Sequence, residues 1–143
     1  MATFTQAQGA RSPSLLNLGS LASGAYITSS AIDLGPSIPL DVTFELECVP
    51  NGTPTGNKQL VLFAQLSLDN ANFGTGGSSS NDEPQLHWIG SLPTYTAAVA
   101  HRKMFSLSGL PVARYIKLVV KNDMGVALTS GAVYKADITG ASA

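Results

Sequence analysis

Val42-Thr43-Phe44-Glu45-Leu46-Glu47-Cys48 alternates apolar and polar side chains without a break. A period of two is the mark of a strand with one buried and one wet face. Working outward, Leu60, Leu62, Ala64, Leu66 and Leu68 repeat the pattern, and Ile116, Leu118 and Val120 do so against Lys117 and Lys121. Strands are expected near 25–34, 40–48, 58–68, 86–92, 101–108, 113–122 and 131–139. Turn chemistry lies between them: Gly35-Pro36, Pro50-Asn51-Gly52, Gly56-Asn57, Gly109 to Pro111, Asn122 to Gly125 and Ser130-Gly131. Short strands at this spacing, with no βαβ alternation, predict an all-β fold: an antiparallel, jelly-roll-like β-sandwich. The register predicts Phe44, Leu62, Leu66, Ile116 and Leu118 in the core, with Glu45, Glu47 and Lys117 facing away.

The 143 residues suit one domain, large enough to bury a core without staples. Charged residues are only 12% of the chain, about half the usual share, and the net charge is −1. No basic field exists to attract a phosphate backbone, so nucleic-acid binding is not expected. Few ions would need desolvating if this surface packed against protein. With 44% hydrophobic residues, the composition favours a homo-oligomer, a homotrimer first. No apolar run is long enough for a membrane helix, so no membrane partner is expected. The N-terminus lacks the basic and apolar regions of a signal peptide, which implies synthesis in a cytoplasm. Cys48 is the only cysteine and falls on the apolar face of its strand, which makes it a buried hydrophobe rather than a nucleophile.

Residues 1–23 carry Arg11 as their one ion and an interrupted apolar patch of Leu15, Leu16, Leu18 and Leu21. The leucine spacing predicts a helical turn or two, cut short by Pro13, Gly19 and Gly24. The segment is expected to be an extended N-terminal arm preceding a sandwich domain at 24–143. It should add little to that domain and order itself on a neighbouring subunit. The longest interruption, Asp69 to Pro84, is rich in glycine and serine and is expected to project as a flexible tip.

No constellation points to catalysis, to a cofactor or to a metal. There is no nucleophile elbow, no His-Glu-x-x-His and no phosphate-cradling loop. Asp69, Asn70, Asn72, Asp82 and Glu83 could in principle offer oxygens to calcium, but their spacing is that of turn residues. Trp88 is expected in the core; were it outward, Trp88 and Tyr95 could stack on a sugar ring. His101, Arg102 and Lys103 open a strand as an edge or interface cluster. The residues expected to meet a partner are Arg11, Leu15, Leu16, Leu18, Leu21, Asn72, Phe73, His101 and Arg102.

Four stretches resemble a group of small β-rich proteins from tailed bacteriophages, the virion decoration (cement) and other head- or tail-associated proteins. They are SSAIDLG at 29–35, QLVLFAQLSLDNANFG at 59–74, HWIGSLP at 87–93 and FSLSGLPVARYIKLVVKNDMGVALTSGAVYKADITG at 105–140. The resemblance implies a non-enzymatic virion protein, on the capsid exterior, that bridges and stabilises major capsid subunits. It implies no catalytic residues. The alternatives are a head–tail or tail-associated virion component and a carbohydrate-binding sandwich module.

Overall fold

In a computed structural model, residues 4–142 are described, and among them the chain is all-β apart from a 3-10 turn at Glu83–Gln85. The strands are β1 (Phe4–Gln8), β2 (Leu16–Asn17), β3 (Tyr26–Thr28), β4 (Ile32–Asp33), β5 (Asp41–Pro50), β6 (Gln59–Ser67), β7 (His87–Pro93), β8 (His101–Ser106), β9 (Tyr115–Asp123) and β10 (Leu128–Ser142). They form two five-stranded antiparallel sheets. One runs β1-β10-β5-β8, with β2 also on β10; the other runs β3-β9-β6-β7, with β4 also on β9. This is the expected sandwich.

The alternation that predicts β5 decides its packing. Val42, Phe44, Leu46 and Cys48 are buried, and Thr43, Glu45 and Glu47 lie on the other face. Their buried side chains meet Leu60, Leu62 and Ala64 of β6 and Ile116, Leu118 and Val120 of β9 in one core. Leu66 packs at its margin. Asn122 is fully buried and fully satisfied: its Nδ2 donates to the carbonyls of Leu21 and Val126, and its Oδ1 accepts from the Met124 amide. A buried amide so paired holds the β9–β10 turn to the N-terminal segment.

Four expectations are corrected. Residues 4–17 lie along the sandwich and residues 18–21 make a tight turn, closed by the Leu21 amide on the Leu18 carbonyl; together they are part of the sandwich and not a free arm or a short helix. β1 pairs with β10 from Phe4↔Ser142 to Gln8↔Ile138, and β2 pairs Leu16 with Val133. Leu16, Leu18 and Leu21 are core residues, because β10 offers an unfilled edge and the sandwich an unfilled end. The 69–84 segment does not project. β6 and β9 carry apolar residues on both faces, and the outer ones, Val61, Phe63 and Val119, form a second small core with Leu86. The loop lies back over it: Gln65 Nε2 donates to the Gly76 carbonyl, and Lys121 Nζ bonds Glu83 at 2.8 Å while the Tyr26 hydroxyl donates to the same carboxylate. Finally, Trp88 is 61% exposed. The β6–β7 register passes from Leu62↔Gly90 to Phe63↔Trp88, so Ile89 is an extra residue. That bulge turns Ile89 toward the core and Trp88 out. Leu68, one step past β6, is also outside the alternation, at 84% exposed.

Candidate docking surface

One end of the sandwich gathers apolar side chains that nothing among the described residues covers. It is built by the β4–β5 loop (34–40), the turn after β6 and the β8–β9 loop (107–113). Backbone bonds hold each piece in place. Leu34 N–H donates to the Arg114 carbonyl at 2.8 Å and Leu107 N–H to the Val42 carbonyl at 2.9 Å. Arg114 grips Asp33 with two nitrogens at 2.8 and 2.9 Å, and Gly35 N–H adds a third bond to that carboxylate. These bonds hold the Asp33 carboxyl down at about 2. Asp69 organises the turn after β6: it accepts from the amides of Ala71 and Asn72 and from the Asn72 side chain, and its acidity is strengthened accordingly.

Between these loops opens a cleft of about 270 Å³ whose floor includes the buried Val42 and Ile116. It shares Leu66, Pro111, Val112 and Ala113 with a neighbouring depression of about 400 Å³ that reaches Leu68, Asn72 and His87. Leu40, Leu68 and Val112 stand on the rims at 58, 84 and 77% exposed. Such a cluster, on a chain otherwise solvated by Ser, Thr, Asn and Gly, is the candidate contact surface of the fold. Sequence reasoning missed Leu40 and Val112; the signal was the pair of apolar-and-proline loops Ile38-Pro39-Leu40 and Leu110-Pro111-Val112, whose side chains have no strand partner.

The residues expected to meet a partner are scattered. Leu16, Leu18 and Leu21 are buried and Leu15 half-buried, so the leucine patch offers no surface. Asn72 reaches the rim of the depression. Phe73 bridges to Ser67, with Lys117 4.4 Å above its ring. Arg11 and Arg102 do come together, on the outer face of the β5 sheet. Arg11 bonds Glu45 at 2.5 Å and lies 3.5 Å over the Tyr134 ring; Arg102 bonds Glu47 at 2.6 Å, and the Tyr134 hydroxyl donates to Glu47. Arg102 holds the Glu47 carboxyl below its usual range, against the opposing effect of burial. The charges cancel in pairs, so this patch is a brace across β5, β8 and the N-terminal segment.

His101 is buried, opposite Cys48. Its Nε2 accepts the Tyr95 amide at 3.2 Å, and the two rings meet edge-on at 4.5 Å. Burial, then the neighbouring Glu47 charge, pushes the Cys48 thiol up to about 12, so it does not act as a thiolate. Among the described residues no group of three or more His, Cys, Asp or Glu side chains could hold a metal ion. Asp82 is likewise spent on a turn, accepting from the amides of Gly77, Ser78 and Ser79. Trp88 and Tyr95 are both exposed, Trp88 near the start of β7 and Tyr95 two residues past its end. No helix among the described residues is long and apolar enough to cross a membrane.

No protein-family model matches the chain, and no curated protein matches it. Among solved structures, the C-terminal domain of a chitobiase from Bacteroides fragilis aligns at 15% identity over 87% of this chain and 99% of that one, with a TM-score of 0.29. A likeness at that level carries no argument about what this chain does.

Proposed function

We propose that this chain is a non-enzymatic structural protein of a tailed-phage virion, which docks on the capsid exterior and braces neighbouring major capsid subunits. The observation that carries the reading is the uncovered apolar end, where Leu40, Leu68 and Val112 rim a cleft floored by the core itself. A docked subunit would desolvate those side chains at little ionic cost, and many weak contacts of this kind would add up across a lattice. The resemblance of residues 29–35, 59–74, 87–93 and 105–140 to phage virion proteins supports the same reading.

The test is co-sedimentation with shells assembled from the major capsid protein of the same phage. Wild-type protein is expected in the shell fraction, and Leu68→Asp with Val112→Asp is expected to abolish its recovery there while leaving the melting temperature unchanged, since both residues are exposed. Full occupancy by the double variant would sink the docking surface; no binding by the wild type to shells, with recovery in tail fractions, would favour a head–tail or tail position. A second reading rests on one observation: Trp88 borders a cleft of about 240 Å³ with Ser106 and Ser108, a hydroxyl-lined wall beside an open aromatic face. Glycan-array binding lost in Trp88→Ala would favour the carbohydrate-binding alternative.

A further inference from the structure

The sheet edges of this protein are not equally protected. β8 carries Arg102 and Lys103, and its Phe105 lies against Gly90 of β7, where an added Cβ would come within 2.2 Å of the ring. β7 is bulged and closes on Pro93. β3 has three residues and β4 two. Charge, bulges, proline and shortness are the devices that keep edges from pairing with other chains. β1 has none of them. It pairs with β10 over five consecutive residues with no break in register, and its sequence, Phe4-Thr5-Gln6-Ala7-Gln8, holds neither charge nor proline. It is the terminal strand of its sheet, and residues 5–10 are exposed.

The direction of its free hydrogen bonds follows from one contact. Gly9 N–H donates to the Asp137 carbonyl at 2.8 Å, in line with the β1–β10 register. In an antiparallel ladder the bonded positions alternate, so Gln6 and Gln8 turn their amides and carbonyls away from β10. We propose that β1 is a self-recognition edge, and that two copies of this chain join by antiparallel β1–β1 pairing about a two-fold axis at Ala7. In that register Gln6 of each copy exchanges two backbone bonds with Gln8 of the other, four in all. Ala7 faces its own copy at a non-bonded position, where Cα atoms approach to about 4.5 Å and a small side chain fits best. The uncharged, short Gln-Ala-Gln face is self-complementary. The two β10-centred sheets become one continuous sheet. A two-fold contact uses each edge once and closes as a dimer; a trimer, which the composition favours, would need another face. The pairing is independent of what the apolar end docks on.

The pairing has two separate readouts. Gln8→Pro removes an outward N–H that β10 does not use, and proline is tolerated on an edge. Sedimentation of the wild type at roughly 50 µM is expected to show a dimer. Gln8→Pro should weaken self-association at least roughly tenfold, with an unchanged circular dichroism spectrum. Ala7→Cys should form an intermolecular disulfide under mild oxidation, because a Cα separation of about 4.5 Å lies within disulfide range; Cys48, buried, does not compete. Ser108→Cys, exposed in the β8–β9 loop, is the control and should remain largely uncrosslinked. A monomeric wild type at roughly ten times that concentration would overturn the proposal. So would a dimer that Gln8→Pro leaves intact, or crosslinking of Ala7→Cys no faster than of Ser108→Cys. If Gln8→Pro fails to fold, the crosslinking rates decide alone.

Discussion

Leu18→Ala probes the part of the chain whose role changed most between sequence and structure. Leu18 is fully buried, its amide donates to the Gly131 carbonyl at 2.9 Å, and its side chain packs over Gly131, where an added Cβ would sit 3.1 Å from Leu18 Cβ. Truncation loses the transfer free energy of the removed carbons and leaves a cavity that β5 and β10, hydrogen-bonded on both sides, cannot close. About 3–5 kcal/mol of destabilisation follows. An unfolding entropy of about 2.1 cal/mol/K per residue over 143 residues converts this to a fall in melting temperature of about 10–17 °C. Thermal melts followed by circular dichroism, with urea midpoints alongside, measure it. Leu15→Ala, at a half-buried site, should cost less, and deletion of residues 2–21 should leave no cooperative transition. A Leu18→Ala melt within about 2 °C of wild type would refute the placement of this segment in the core.

Three further outcomes are expected. Gly90→Ala places a methyl against the Phe105 ring and should destabilise the fold by about 1–3 kcal/mol in chemical denaturation, whereas Gly109→Ala, in a turn with open space around it, should act only through backbone strain. Cys48, 1% exposed and with its thiol pushed up to about 12, should resist a thiol reagent at pH 8 in the native state and react fully in denaturant; rapid native labelling would contradict its burial. The carboxyls of Asp33, Asp69, Asp82 and Glu47 are all held below their ordinary values, Asp33 at about 2. The folded state therefore favours their ionised forms, a contribution complete above about pH 4.5 and lost as pH falls toward 2. Melting temperature should drop across that window, and a flat profile would count against these pairings.

The strands were legible wherever one face was buried and the other wet. The expected segments at 40–48, 58–68, 86–92 and 113–122 coincide with β5, β6, β7 and β9 to within a few residues. The register expected for Phe44, Leu62, Ile116 and Leu118 is the observed one. The 25–34 segment is two strands, because Ser29 turns its hydroxyl and its amide to Leu118 between them. What escaped was non-local. β1 is a strand only because β10, 130 or more residues away, offers an edge. Leu16-Asn17-Leu18 does alternate, a period-two signal hidden beneath the helical spacing of the wider leucine set. The folded-back loop had its own trace: Leu60 to Ala64 and Leu118 to Val120 are apolar on consecutive positions, which requires cover on both faces of the sheet. Around the apolar end, the sequence drew attention to Asn72, which lines the depression, but not to the exposure of Leu40, Leu68 and Val112, because exposure of a loop side chain depends on how three separate connections meet.

β10 lies between β1 and β5 and also takes β2, so three separate segments wait for it. β5 ends at Pro50 and β10 begins at Leu128, 78 residues later. At ribosomal speeds of about 5–20 residues per second, the interval between them is roughly 4–16 s. Throughout it the emerging chain holds Val42, Phe44 and Leu46 on a sheet that lacks its central partner. The leucines at 16, 18 and 21 have been exposed for longer still. Assembly of the sheet is thus governed by the timing of translation: the nascent polypeptide cannot close it in vectorial order, and its first half must stay unaggregated, or be held by a chaperone, until the strand that joins beginning to end has emerged.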